Sequence, residues 1–468
     1  MDAYLGGTWW ARLLLQRGVA AVYLCAFVSA LLQFRALLGE HGLLPVPQLL
    51  TRVSFRQAPS VFHIHYSDRT FSAVAGAGAL LSAALLMGVL DHAPSWLACA
   101  TWLVVWCAYL SIVNVGQVFY GFGWESMLLE AGFFVSFLGP PDLAPAPLMV
   151  LALRWMLFRT ELGAGLIKLR HDSCWRDLTC LYYHYETQPL PNLLSWYFHW
   201  LPRWVHRQGV VFSHFVQVVV PFGLFLPQPL SAAAGALIIG HQLLLVVSGN
   251  YSWLNWLTIV LGFSAFGDST LHALLGLDVS PMQPPTLAFS IVQYVLAAIT
   301  LALSIQPTIN LVQKQQRMNY CYNALHLVNS YGAFGSVTRE RYEIVIEGKS
   351  ESDGNEWKEY EFRGKPGDPR RLPPQVAPYH LRLDWLMWFQ SLYGFRDPER
   401  WFVRLVEKLL AGERAILGLL RRNPFPEQPP SEIRALLYLY RFTPPAERRE
   451  TGAWWKRERV GEFYRRAA

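Results

Sequence analysis

Between Cys174 and Asn192 the chain reads CWRDLTCLYYHYETQPLPN. This polar, aromatic segment is flanked by stretches that are apolar enough to cross a membrane as helices. Two cysteines, one histidine, three tyrosines and two prolines do not help a helix to insert into lipid. The pattern therefore predicts a membrane protein in which this segment has a role outside the bilayer.

The composition supports a membrane protein with a water-soluble end. Hydrophobic residues make up 53% of the 468 residues and charged residues only 16%, against about 25% charged in a typical soluble domain. The net charge of +7 comes entirely from residues 314–468, because residues 1–313 are balanced. Positive and negative residues alternate in this tail, which argues against nucleic-acid binding.

The apolar stretches predict a mainly α fold, with a polytopic membrane helical bundle of about nine spans in residues 1–310. A loop at 168–209 would leave the bilayer, and a small soluble α+β domain would follow at 311–468. The candidate spans are 18–38, 71–90, 95–114, 122–138, 148–168, 210–227, 231–248, 253–267 and 285–306.

Within the tail, two segments alternate apolar and polar residues as strands do. RYEIVIE (341–347) and WKEYEFR (357–363) would form a hairpin around a turn at 350–355. The segments 384–394, 400–422 and 431–440 are predicted to be helical.

Several charged residues fall inside predicted spans, where a lone charge costs roughly 3 kcal/mol or more. They would form an intramembrane charge network of Glu125, Glu130, Arg154, Arg159 and Glu161. Glu130 would pair with Arg154 or Arg159, and Arg154 lies two helical turns from Glu161 on the same face. Two interpretations stay open: ion pairs that fix helix register, or a polar cavity for a substrate or a proton.

The central segment also admits two interpretations. Its tyrosines could be anchors at the membrane interface, or the segment could bind a client protein. The candidate client-binding residues are Tyr182, Tyr183, His184, Tyr185, Glu186 and Gln188. His184 and Glu186 would act as an acid/base pair only in an extended backbone. Trp196, Trp200 and Trp204, spaced by four, would form a stripe on an interfacial helix that packs on lipid.

Modification and catalytic motifs are few. Cys174 and Cys180 are a candidate disulfide, which would require an oxidising compartment, and Asn250-Tyr251-Ser252 is a candidate glycosylation site. The pattern indicates no metal site, because no third ligand lies at a suitable spacing, and it contains no cofactor or catalytic motif.

The charge distribution and the sequence motifs predict opposite orientations of the bundle in the membrane. An inside N-terminus and nine spans would put the central loop and the tail outside, together with most of the Lys and Arg residues of the bundle. The positive-inside rule favours the reverse. The cysteine pair and the glycosylation sequence favour an outer location for both.

A set of longer motifs resembles the lipase maturation factor family. They are GFGWESMLLEAGF (121–133), RWMLFRTELGAGLIKLR (154–170), the central segment itself, SGNYSWLNWLT (248–258), NSYGAFGSVTRERYEIVIEG (329–348), YHLRLDWLMWF (379–389), NPF (423–425) and WWKRERVG (454–461).

The resemblance implies a multi-pass protein of the endoplasmic reticulum membrane, or of the plasma membrane in a bacterium. It implies a cytosolic N-terminus, a luminal tail and an exoplasmic loop at 168–209. Such a protein would be a non-enzymatic factor that helps secreted homodimeric lipases, such as lipoprotein lipase and hepatic lipase, or other exported clients, to fold and assemble. The alternative is a membrane enzyme with a polar intramembrane site, remotely like the γ-carboxylases, that acts on an exported protein or a lipid.

Overall fold

The computed structural model describes residues 5–145, 147–350, 356–392 and 394–467, and these are mainly helical. The α-helices are Trp9–Leu37 (α1), Val46–Leu50 (α2), Asp68–Met87 (α3), Ser95–Val115 (α4), Gly123–Val135 (α5), Pro147–Arg170 (α6), Ser173–Arg176 (α7), Leu181–Thr187 (α8), Ser195–His199 (α9), Arg203–His214 (α10), Val220–Gly223 (α11), Leu230–Ser248 (α12), Leu254–Gly262 (α13), Asp268–Leu275 (α14), Leu287–Leu303 (α15), Ile305–Val312 (α16), Arg382–Ser391 (α17), Arg400–Leu410 (α18), Arg414–Leu417 (α19) and Pro445–Thr451 (α20). Short 3₁₀ turns lie at Val61–His63, Gln117–Tyr120 and Phe263–Ala265, and a π turn at Phe215–Val219.

Five helices in the described part of the chain are long and apolar enough to cross a membrane: α1, α3, α4, α12, and α15 with α16. A sixth candidate is the bent pair Leu254–Ala265 and Asp268–Leu275, whose halves meet at 94°. The prediction of nine spans is therefore not confirmed. The remaining three predicted intervals fall on α5, which has only 13 residues, on the charged α6, and on α10 and α11, which the π turn interrupts.

The first helix lies at the centre of the bundle, and 61% of the residues in its apolar 18-residue stretch are buried. Small residues let α3 approach it closely. A Cβ at Gly78 would lie 2.4 Å from the ring of Phe27, and a Cβ at Gly18 would lie 2.4 Å from Val260 on α13. Side chains larger than hydrogen at these two positions would separate the helices.

The tail contains one antiparallel sheet with the strand order β2-β1-β3-β4. Its strands are Arg341–Lys349 (β1), Lys358–Glu359 (β2), Glu432–Phe442 (β3) and Trp455–Ala467 (β4). The expected pairing of β1 with β2 is present, but it covers only two residue pairs, and 351–355, most of the expected turn, lies outside the described residues. The main partner of β1 is β3.

The prediction of a helix at 431–440 is wrong, because this segment is β3. Burial on both faces of the sheet explains the error. β3 lies between β1 and β4, and the consecutive residues Ala435, Leu436 and Leu437, whose side chains alternate between the two faces, are all buried. A strand that is buried on both faces lacks the period-2 pattern by which half-buried strands are recognised.

The tail packs directly on the bundle. The carbonyl oxygen of His380 accepts hydrogen bonds from Ser29 Oγ (3.1 Å) and Gln33 Nε2 (2.7 Å) of α1. The backbone N–H of Arg382 donates to Gln33 Oε1 (3.0 Å). One hydrophobic core runs from α1 into the sheet, so the tail and the helices share their interior.

Candidate functional site

The central segment is folded into the protein. Residues 181–187 are helical, and the tail covers one side of them. Among the predicted client-binding residues, Gln188 is 2% exposed, His184 5% and Tyr185 9%. These three side chains are thus inside the protein, and the prediction that they are displayed needs correction.

A hydrogen-bond network explains their burial. Nε2 of His184 lies 2.9 Å from the hydroxyl of Tyr251, and that hydroxyl donates to Gln188 Oε1. Nε2 of Gln188 donates to Ser195 Oγ (2.9 Å) and to the carbonyl of Ser248 (2.9 Å). Burial lowers the pKa of His184 to about 3, so the ring is neutral near pH 7. The network fastens the segment to the end of α12.

The expected acid/base pair does not form. His184 and Glu186 are two positions apart on a helix, where such residues do not face each other. The carboxylate of Glu186 accepts a hydrogen bond from the backbone N–H of Phe442 on β3. Burial raises the pKa of Glu186 to about 7.

Tyr182 and Tyr183 remain partly exposed. The guanidinium of Arg203 lies 5.5 Å from the ring centroid of Tyr182, and that of Arg339 lies 5.0 Å from that of Tyr183. Both distances are within the range of cation–π attraction. These two tyrosines therefore lie at the surface, each beside an arginine.

Residues 193–204, which follow in the chain, continue this surface. Tyr197 is 50% exposed, Trp200 40% and Trp204 68%. We call this surface the aromatic patch, and it consists of Leu193, Leu194, Tyr197, Trp200, Leu201 and Trp204. Trp196 is different, because it is buried against Trp454 and its indole N–H donates to the carbonyl of Thr443 (2.9 Å). Trp196, the first member of the predicted stripe, thus packs on the tail.

Cys174 and Cys180 are bonded as a disulfide, and four other cysteines are free. Asp172, two residues before Cys174, binds Arg339 of the tail (Nη2 to Oδ1, 2.8 Å). This hydrogen bond is the main reason why the pKa of Asp172 is lowered to about 2. Potential metal-ligand atoms of Asp172, Cys174 and Cys180 lie within 4.8 Å of one another. A zinc ion there would need both cysteines as thiolates, and their sulfur atoms are instead bonded to each other.

Asn250 is buried, which corrects its prediction as a glycosylation site. Its Nδ2 donates to the carbonyls of Pro191 (3.2 Å) and Pro374 (2.9 Å). Its Oδ1 accepts from the N–H groups of Val376 (2.7 Å) and Ala377 (2.9 Å). The amide therefore joins three segments, and it is inaccessible as a glycan acceptor in the folded protein.

Glu125 lies where the bundle meets the tail. Its carboxylate accepts from Arg382 Nη1 (2.7 Å) of α17 and from the hydroxyl of Tyr109. Glu125, Arg382 and the neighbouring His380 are all buried, and burial lowers the pKa of His380 to about 3. Arg382 is therefore the cation that neutralises Glu125, and it comes from the tail and not from a neighbouring span.

Glu130 forms a second such connection. It pairs with Arg159 of α6, one of the two partners that the sequence suggests. Its Oε2 also accepts from the backbone N–H of Asn329 (2.8 Å) and from the hydroxyl of Tyr331 (2.7 Å). Both of these residues follow the last span.

Glu161 and Arg154 make other contacts. Glu161 accepts from Gln217 Nε2 (3.2 Å) and Gln242 Nε2 (2.6 Å). Arg154 donates from Nε to the carbonyl of Ser264 (2.6 Å) and from Nη1 to that of Leu224 (3.3 Å). The charged side chains thus connect helices of the bundle to one another.

Comparison with known proteins identifies the family. The transmembrane domain profile of lipase maturation factors matches residues 10–273, and the C-terminal domain profile matches residues 327–465. The chain belongs to the lipase maturation factor family. It is 40% identical to lipase maturation factor 1 of Mus musculus, in an alignment that covers 98% of this chain and 88% of that protein. The corresponding values for lipase maturation factor 1 of Bos taurus are 39%, 98% and 89%.

Other members are more distant. Lipase maturation factor 2 of Homo sapiens is 30% identical over 98% of this chain and 83% of that protein. No solved structure matches the chain.

Sequence reasoning missed Arg382, the cation that pairs with Glu125. Arg382 lies in RLDWLMWF (382–389), a mostly apolar and aromatic stretch. A basic residue at the start of an apolar, aromatic helix is a signal that could have identified it, because such a charge needs a buried partner.

Proposed function

We propose that this membrane protein is a maturation factor that helps secreted homodimeric lipases, or related exported clients, to fold and assemble. The observation that carries the proposal is the 39–40% identity to lipase maturation factor 1 of two mammals over 98% of this chain. The name of these relatives states that they mature lipases. Identity over the whole length includes both the bundle and the tail.

The compartment proposed is the endoplasmic reticulum membrane, or the plasma membrane in a bacterium. The disulfide between Cys174 and Cys180 supports an oxidising exoplasmic side for the central segment. Because Arg339 binds Asp172 beside this disulfide, the tail would share that side. The N-terminus would then be cytosolic.

We also propose that residues 1–310 form the membrane bundle and residues 311–468 the soluble domain. Helix α6 has 24 residues, or about 36 Å of helix, enough to cross a bilayer. Its Arg154, Arg159 and Glu161 are buried, so none of these charges would touch lipid. The other two intervals that the count of nine requires would be the short helix α5 and the interrupted pair α10 and α11.

The proposed client surface is the aromatic patch together with Tyr182 and Tyr183. A partly folded lipase exposes apolar surface and an unassembled dimer face, and large aromatic side chains bind such surfaces with little loss of conformational entropy. The residues of the patch are exposed and lie beside the disulfide-bonded segment. A non-enzymatic role agrees with the glutamates, since Glu125 and Glu130 bind cations in closed packing and do not line an open pocket.

The test uses cells that lack their own lipase maturation factors and secrete lipoprotein lipase. Expression of this chain is expected to restore lipase activity per unit of lipase mass. The double substitution Trp200→Ala with Trp204→Ala is expected to lower that specific activity severalfold, while the abundance of the maturation factor stays unchanged.

The matched control is Trp196→Ala, which removes the buried tryptophan of the predicted stripe. Loss of a buried tryptophan costs about 3–5 kcal/mol, so abundance and lipase activity should fall together. Failure of the unsubstituted chain to restore any lipase would contradict the proposed function. Full activity of the double variant would contradict only the assignment of the surface.

A further inference from the structure

A cavity of about 250 Å³ lies between the central segment and α12. Its walls are mostly apolar and include Leu181, Phe198, Val205, Phe212 and Leu245. Predominantly apolar walls with a few polar groups are typical of sites for small molecules. None of the contacts described above fills this space.

One end of the cavity is polar and carries a buried cation. Lys168 is 5% exposed, and its ammonium donates to Gln217 Oε1 (2.7 Å) and lies 4.8 Å from the ring centroid of Trp175. An ammonium can donate three hydrogen bonds, and among the described residues Lys168 makes this one. Two further donors are therefore available towards the cavity.

Unpaired histidine nitrogens line the same cavity. Nδ1 of His241 and Nδ1 of His206 are buried without a hydrogen-bond partner among the described residues, and the two residues are each 4% exposed. A buried polar atom without a partner is costly. Nε2 of His206 donates to the carbonyl of Phe198, so Nδ1 of this neutral ring can only accept. Nδ1 of His241, in the tautomer that carries its proton there, would donate to a bound ligand that accepts hydrogen bonds.

The backbone next to Lys168 is unusual. Phe215–Val219 form a π turn, and such turns often occur at functional sites. The turn carries Gln217, whose amide connects Lys168 to Glu161. Gln217 lies between the two side chains, and among the described residues Glu161 makes no direct hydrogen bond to Lys168, so donors of the ammonium remain for an anion.

The mouth of the cavity lies between the aromatic patch and a candidate membrane span. Leu201 (38% exposed) and Leu244 (49% exposed) line the cavity and also contribute to the outer surface. Leu244 belongs to α12, a candidate membrane span. A ligand that enters between these leucines would come from the bilayer.

We propose that this cavity binds the head of a fatty acid, with the carboxylate at Lys168 and the acyl chain leaving towards lipid between Leu201 and Leu244. Lys168 is the single cation among the lining residues, so it matches one negative charge better than the two of a phosphate monoester. A dry cavity of about 150 Å³ holds benzene, so 250 Å³ has space for roughly ten heavy atoms. This would include the carboxylate and the first carbons of the chain.

The experiment uses the full-length protein in lipid nanodiscs and a palmitic acid with a diazirine near its carboxylate. Irradiation is expected to label peptides that contain Trp175 or His241, which line the polar end of the cavity, in a saturable manner. Lys168→Gln should reduce this labelling roughly tenfold or more, because a charge-assisted hydrogen bond is lost. Lys168→Arg should retain most of it, and Lys456→Gln, at an exposed lysine of β4, should not change it.

Two measurements do not depend on the folding of the Lys168 variants. On the unsubstituted protein, the matching diazirine fatty alcohol should label these peptides far more weakly than the acid. Leu244→Trp, at an exposed position, should block the mouth and lower labelling with the cation intact. Equal labelling by acid and alcohol, labelling confined to other peptides, or no effect of Leu244→Trp would overturn the proposal. Stronger competition by lysophosphatidic acid than by palmitate would overturn the carboxylate in favour of a phosphate head.

Discussion

Asn250 shows at the scale of one residue how a modification motif can have a structural function. Its amide satisfies two carbonyls and two N–H groups of Pro191 and of residues 374–377. We expect Asn250→Ala to lower the free energy of unfolding by about 2–4 kcal/mol, since several buried backbone groups lose their partner. Thermal unfolding in detergent, with abundance in cells as a second measurement, would show the loss.

The matched control is Ser252→Ala, which abolishes the glycosylation sequence but leaves the amide in place. The hydroxyl of Ser252 is buried and has no hydrogen-bond partner among the described residues, so this substitution should be nearly neutral. Neither variant should change the response of the protein to a glycosidase that removes N-linked glycans. If both substitutions lowered stability equally, and the glycosidase reduced the mass of the unsubstituted protein, Asn250 would carry a glycan.

The residues of the central segment show what sequence can and cannot predict at this scale. The residue types of His184, Glu186 and Gln188 indicate a polar segment between the apolar helices. Their burial could not be predicted, because it depends on partners such as Tyr251 and Phe442 that are distant in sequence. Polar side chains were expected at the surface, but buried ones are stable when they are hydrogen-bonded.

At the scale of elements, the predictions succeeded where a pattern was local and failed where it depended on neighbours. The long apolar helices α3, α4 and α12 lie within three residues of their predicted bounds, whereas α1 begins nine residues before its predicted start. The helix α6 carries more charged residues than a typical membrane span. These charged residues bind other parts of the protein. No periodicity of a single segment reveals such pairing.

The contact between α5 and α17 gives a prediction about how elements are joined. Arg382→Ala leaves Glu125 buried without its cation, which should cost about 3–5 kcal/mol of stability. The double variant Glu125→Gln with Arg382→Met should recover most of this loss, since no unpaired charge remains and the glutamine can still accept from Tyr109. Thermal unfolding of the unsubstituted protein and the two variants in detergent measures this loss of stability and its recovery.

A surface pair provides the comparison. Arg421 is 51% exposed and lies 3.8 Å from Glu361, so Arg421→Ala should change stability by less than about 1 kcal/mol. If Arg382→Ala were as mild as Arg421→Ala, the buried pair would not hold the tail to the bundle. If the double variant were no more stable than Arg382→Ala, the cost would come from lost packing and not from the unpaired charge.

At the scale of the whole molecule, the tail and the central segment form one unit on one side of the bundle. Arg339 binds Asp172, and Phe442 binds Glu186. Trp196 packs against Trp454. Elements so connected cannot lie on opposite sides of a bilayer, so the orientation of either determines the orientation of both.

The topology of the whole chain can be tested with sealed vesicles. In the proposed orientation, trypsin added from the cytosolic side should leave the tail intact, although its last strand exposes Lys456, Arg459 and Arg466. Detergent should make these sites cleavable, and a tag placed before the N-terminus should be removed in both conditions. Under denaturing conditions, Cys174 and Cys180 should react with maleimide only after reduction, because they are bonded. Digestion of the tail in intact vesicles would reverse the proposed orientation, and it would place the aromatic patch on the side of the membrane where no secreted lipase folds.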